Sequence, residues 1–143
     1  INLMKKIIFF NVLFLIAVLF VSCESEIKMS DIVGKWCLIS IESEINGESS
    51  LEPLNPTEDY VYYEFYNDST YNLNDLGADE YGRWTLGCDS LLGTLPSECK
   101  DDSANYTWYK IEYLNDTIMT MYNTIDTDYG VVNERYVYQK VGF

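Results

Sequence analysis

The sequence predicts an all-β domain: about eight antiparallel strands, wound up and down and closed into a barrel. Three observations predict it. Eight short segments rich in Val, Ile, Thr, Tyr and Trp follow one another between residues 35 and 141. Short turn signals separate most neighbours, as an antiparallel meander requires. No helical periodicity appears after the N-terminal segment.

The elements follow in order. "KWCLISIE" (35–42) and "YVYYEFY" (60–66) are β-branched and aromatic. "NDS" turns the chain into "TYNLND" (70–75), which predicts a hairpin. The turn-rich "DLGADE" leads to "YGRWTL" (81–86), and "DSLLGTL" (89–95) is a weaker strand. "NYTWYKIEYL" (105–114), "TIMTMYN" (117–123) and "VVNERYVYQKV" (131–141) complete the eight. Pro53, Pro56 and Pro96 are expected in loops. Closure removes the edges that so many β-prone residues would otherwise leave open to pairing. Alternation predicts that Val61, Tyr63 and Phe65 face the core, as do Tyr109, Ile111 and Tyr113.

Ahead of this domain, Lys5 and Lys6 precede an apolar run from Ile7 to Val21, 15 residues interrupted in polarity by Asn11. A helix needs roughly 20 apolar residues to cross a bilayer core. A basic start, a short apolar run and a small residue predict a signal-peptide helix over residues 1–22. Residues 23–30 are then a tether and 31–143 the barrel domain. Lys5 and Lys6 leave with the signal, so seven of nine bases face all 23 acids, a net charge of −16. Such a surface repels nucleic acid and anionic headgroups. There is no His, which excludes Ser-His-Asp and Cys-His catalysis. No cofactor, metal site or enzymatic activity is expected. Three scattered cysteines without His lack zinc spacing. Outside the cytoplasm, Cys88 and Cys99 are the expected disulfide, because they flank the Gly- and Pro-containing "DSLLGTLPSE"; Cys37 is then a buried free thiol.

Two resemblances add to this reading. "FVSC" (20–23) resembles the lipobox of bacterial lipoproteins, with Phe20 where Leu is usual. The resemblance implies acylation of Cys23 and anchoring to the outer membrane at the cell envelope, facing the periplasm or the surface. More than one acyl chain makes such an anchor stable. Glu24 and Glu26 resemble a weak surface-export signal of bacteroidete lipoproteins, and also suit any solvated linker. "GKW", with Gly34 and Trp36, resembles the G-x-W signature that opens the first strand of lipocalins. In that family an Arg of the last strand packs across the Trp and closes one end of the barrel; Arg135 stands in the corresponding strand. With "GRW" and "YKIEYLND", the chain is similar to small lipocalin-like lipoproteins of the bacteroidete type. The resemblance implies a membrane-anchored binding or accessory module, of which binding a small apolar ligand is one version. Exposed Tyr60, Tyr62 and Tyr66 would instead suit a protein or glycan partner on the outer surface.

Four Asp-Ser/Thr tripeptides resemble bacteroidete O-glycosylation sequons and mark Ser69, Ser90, Ser103 and Thr117 as acceptors. The same dipeptides also build turns before strands. Asp126, Asp128 and Glu134 read as a solvated turn, because the remaining ligands of a calcium loop are missing.

Overall fold

The computed structural model describes residues 26–142. The expected signal peptide and Cys23 lie outside the described residues. One helical turn, α1 (Met29–Ile32), precedes nine strands. These are β1 (Gly34–Ile45), β2 (Glu48–Pro53), β3 (Val61–Phe65), β4 (Thr70–Asp75), β5 (Ala78–Leu86), β6 (Leu91–Pro96), β7 (Thr107–Leu114), β8 (Ile118–Thr127) and β9 (Gly130–Lys140). Every pairing is antiparallel, and β1 also pairs with β9, so the sheet closes. The result is an eight-strand up-and-down barrel with one extra strand.

The extra strand is β2, "ESSLEP", which is exposed along its whole length. Its polarity hides it from a hydrophobic pattern. It forms because Asn46 and Gly47, both at positive φ, turn β1 back on itself. β2 takes the upper edge of β1 (Ser40–Ile45) and β3 the lower (Gly34–Cys37). The two therefore descend one edge in succession, with the loop 54–60 between them. Pro53 and Pro96 are not in loops: each ends a strand, where a missing N–H is tolerated.

The inward rows follow from the register. Leu38, Tyr138, Met119 and Leu114 form one row; Ile41, Tyr136, Met121 and Ile111 form the next. Above them lie Ser43, Glu134 and Asn123, then Ile45, Val132 and Ile125. The lower half is filled. Ile32, Trp36, Phe65, Tyr71, Trp84, Leu92, Met119 and Met121 are all nearly or fully buried. Rings pack edge to face there, with Phe65 and Trp84 centroids 5.4 Å apart and Tyr63 and Tyr71 5.7 Å apart.

Alternation places Val61, Tyr63, Phe65, Tyr109 and Ile111 inward as expected, but not Tyr113, which is 54% exposed. A bulge between Ile111 and Tyr113 inserts one residue opposite β8 and turns Leu114 inward instead. The expected Cys88–Cys99 bridge is also not formed. Cys99 is a free, exposed thiol. The stretch between the two is no loop but β6, six residues of extended chain. At about 3.3 Å per residue this separates its ends by roughly 20 Å, beyond disulfide reach. Cys37 is free and buried, as expected, and burial pushes its thiol up. Maleimide added to folded protein is therefore expected to label Cys99 rapidly and Cys37 only after denaturation. Peptide mass mapping reads this directly, and rapid labelling of Cys37 would contradict its placement.

Candidate functional site

The closed end of the barrel is built around the G-x-W residues. Gly34 has φ +135°, a conformation open to glycine, and a Cβ there would meet the Lys140 side chain at 2.7 Å. Trp36 donates its indole N–H to the Ile32 carbonyl at 2.8 Å, which ties α1 under the barrel. The cation across Trp36 is Lys140, with Nζ 5.0 Å from the ring centroid. Arg135 does not take that place. It sits outside the barrel, between Glu112 (Nε to Oε2, 2.6 Å) and Glu42 (Nη1 to Oε2, 3.0 Å). Alternation explains the exchange: Tyr136 and Tyr138 face inward, so Arg135 must face out. Glu112, then Glu42, hold its guanidinium charged. All three side chains are over a third exposed, so the network contributes little beyond about 1 kcal/mol.

The open end is different. Ile41, Val61, Leu73, Tyr109 and Tyr136 face inward yet are only half-buried. They leave an apolar cup above the aromatic floor. On the inward face of the β1–β2 hairpin, beside Ser43, Ile45 and Ser50, lies a concavity of about 480 Å³. Asn46, Glu48 and Ser49 complete its lining, so it is a mostly polar concavity at the tip of the hairpin. A further cleft of about 280 Å³ lies on the outer wall beside Arg135.

The cup carries phenols paired with carboxylates, which sequence reasoning missed. Tyr71 donates to Glu80 at 2.7 Å, and Tyr136 donates to Glu134. The Tyr63 and Tyr71 rings meet edge to face, and so do the Tyr109 and Tyr136 rings, at 6.0 Å. Both carboxylates act on Tyr109. Burial raises the pKa of every one of these phenols and of Tyr138, with the carboxylates adding to it at Tyr71, Tyr109 and Tyr136. No spacing in the sequence links Tyr109 to Tyr136; the pairing of β7, β8 and β9 does.

A pH dependence follows. Tyr63, Tyr71 and Tyr138 are almost wholly buried, with folded pKa values above the ordinary 10.0. The unfolded chain therefore loses these protons first as pH rises. The stability they contribute is fully present below pH 10 and falls above it, each adding about 1.4 kcal/mol per pH unit to the slope. Urea midpoints are expected to be flat from pH 7 to 9 and to drop steeply above pH 10. A flat profile to pH 11 would contradict the burial of these phenols.

The sequence-marked acceptors all lie at turns. Ser103 and Thr117 are exposed; Ser69 and Ser90 are half-buried at positive φ. Tyr60, Tyr62 and Tyr66 share the outer wall with Lys35, whose ammonium lies 3.8 Å from the Tyr62 ring centroid. No group of metal-ligating side chains is present among the described residues, and no described helix is long and apolar enough to cross a membrane.

No family model matches the sequence, and no curated protein matches it. Solved structures do. A lipocalin-like protein from Bacteroides uniformis is 15% identical; the match covers 78% of this chain and 99% of that one, with TM-score 0.54. Odorant-binding protein from bovine nasal mucosa is 17% identical over 84% of this chain and 77% of that one, with TM-score 0.45. The complex of bovine odorant-binding protein with undecanal is 18% identical over the same shares, with TM-score 0.44. The fold of this chain is thus lipocalin-like, on the strength of the first of these.

Proposed function

We propose that this protein is a lipid-anchored binding module of the cell envelope, held to the outer membrane through Cys23, and that its barrel takes a small ligand with an apolar body. The observation that supports this reading is the half-buried apolar lining of the cup, Ile41, Val61, Leu73, Tyr109 and Tyr136, above a filled floor. Apolar side chains left uncovered inside a concave surface mark a binding site. The cup is shallow, because Tyr63, Phe65, Tyr71 and Trp84 occupy the space below it. The role is binding rather than catalysis.

Two measurements test it. Protein lacking residues 1–23 is expected to enhance the emission of an apolar fluorophore, or to carry a small molecule visible in native mass spectrometry. Silence in both would sink the ligand reading. Metabolic labelling with an alkynyl fatty acid is expected to mark the wild type and not Cys23→Ser. The intact mass of the native protein tests glycosylation at Ser69, Ser90, Ser103 and Thr117: an unmodified mass removes it.

A second reading, a protein- or glycan-interaction module, has its own support. Tyr60, Tyr66 and Tyr81 are 36%, 39% and 57% exposed on one outer wall. Crosslinking in intact cells tests it, and absence of any partner counts against it.

A further inference from the structure

The closed end has a cleft of its own, of about 420 Å³. The tether lines it through Glu26, α1 through Ser30 and Asp31, the β7–β8 turn through Asp116, and β9 through Lys140. Three carboxylates and one ammonium thus share one space, yet none pairs with another. The ion pairs among the described residues are those of Arg83 with Asp101 and of Arg135 with Glu42 and Glu112. Asp31 accepts the Lys28 backbone N–H at 2.9 Å through one oxygen, which leaves the other open. The Lys140 stem passes over Gly34, and its Nζ lies 5.0 Å from the Trp36 ring centroid. Opposite charges that line one cleft beyond pairing distance suit a ligand that carries both charges. The outer-wall cleft beside Arg135 is the contrast, because there the Arg already pairs with two of the lining Glu residues.

Chain length places this cleft relative to the membrane. Cys23 is three residues ahead of Glu26. Fully extended, that is about 10 Å. An acylated Cys23 therefore holds the cleft close to the head-group layer. The acid excess of the domain opposes anionic head groups. The lining contains no aromatic ring, so it offers no cage for a quaternary ammonium. A primary ammonium brings three N–H donors, one for each carboxylate.

We infer that this cleft holds the zwitterionic head group of a phospholipid with a primary ammonium, the ammonium among Glu26, Asp31 and Asp116 and the phosphate on Lys140. The inference rests on the proposed anchor at Cys23 and goes beyond it. The anchor ties the chain to the membrane; the cleft fixes which end of the barrel faces it. The open cup at the other end then points away from the lipid.

The test uses the full chain expressed in bacteria and extracted in a neutral detergent. It is mixed with equal amounts of phosphatidylethanolamine and phosphatidylcholine of the same acyl chains. Native mass spectrometry reads both the acyl mass on Cys23 and the lipid bound. Adducts of the ethanolamine lipid are expected to exceed those of the choline lipid about tenfold. Excess glycerophosphoethanolamine is expected to displace them, because the head group holds the lipid. The double variant Glu26→Gln and Asp31→Asn keeps an acceptor for the Lys28 N–H. It is expected to lose the preference with an unchanged circular dichroism spectrum. Equal adducts of both lipids, or none, on acylated protein overturn the head-group assignment and leave the anchor standing. A preference on protein without acyl mass supports the cleft and overturns the anchor; neither signal overturns both. A preference that survives in the folded double variant, or that the soluble head group does not displace, also overturns the assignment.

Discussion

Replacement of Trp36 by Ala is expected to lower unfolding free energy by about 4 kcal/mol, within the usual range for truncating a fully buried Trp. The indole has no exposed surface, and three elements meet on it. α1 is held by the N–H bond to Ile32, β9 by the Lys140 ammonium over the ring, and β3 by the cross-strand partner Tyr63. Ala leaves a cavity and an unpaired Ile32 carbonyl in the same place. Small domains have only about 5–15 kcal/mol in total, so the variant is expected to unfold well below the wild-type urea midpoint. Trp36→Phe separates the contributions. It keeps most of the packing and loses the N–H donor, for an expected loss of about 1–2 kcal/mol. A Trp36→Ala variant within 1 kcal/mol of wild type would show that the closed end does not depend on this residue.

The second large effect is expected at Gly82. It faces inward in β5, opposite Tyr71, whose ring lies across it. A Cβ built there comes within 2.2 Å of the Leu95 carbonyl oxygen and 2.7 Å of the Tyr71 ring. The first contact is with backbone, so no rotamer change relieves it, and β5 and β6 must part. Gly82→Ala is expected to cost about 3 kcal/mol or more, at the upper end for overpacking. It also displaces Tyr71 from Glu80, so that hydrogen bond is lost. Gly93→Ala is the comparison. Its Cβ meets the Trp108 side chain at 2.7 Å, not backbone, and Trp108 is half-buried on the outer wall. That ring can yield, so a loss nearer 1 kcal/mol is expected. Equal urea midpoints for the two alanine variants would refute the distinction.

The residues that make these predictions differ in how far the sequence announces them. Trp36 is marked by its Gly-x-Trp setting, and Gly34 by the positive φ that setting needs. Gly82 carries no such mark. Its φ is ordinary, and its constraint comes from Tyr71 and from Leu95 on the neighbouring strand. Arg135 and Lys140 show the limit from the other side. Both are bases on the last strand. Which of them covers Trp36 depends on side-chain parity and on the pairing of Trp36 with Lys140. The bulge at Ile111–Tyr113 reverses parity within β7, and nothing in "YKIEYL" signals it. The strand β2 escapes because "ESSLEP" has no apolar face to read; it follows from the Asn46–Gly47 turn and the free upper edge of β1.

The sequence by itself determined the class of fold and its strand order. Local β propensity and turn chemistry act between near neighbours, and eight segments in meander order leave few other topologies. It also determined what the chain lacks, since a protein without His and with 23 acids is restricted in chemistry however it folds. Tertiary structure alone decided that the lower barrel is filled and the upper half open, because filling depends on which rings meet across it. It alone brought the Tyr109 ring against the Tyr136 ring, 27 residues apart in number, with the Tyr136 hydroxyl on Glu134. Barrel closure sets that proximity through the register of eight strands at once, and no short stretch of sequence carries such a register.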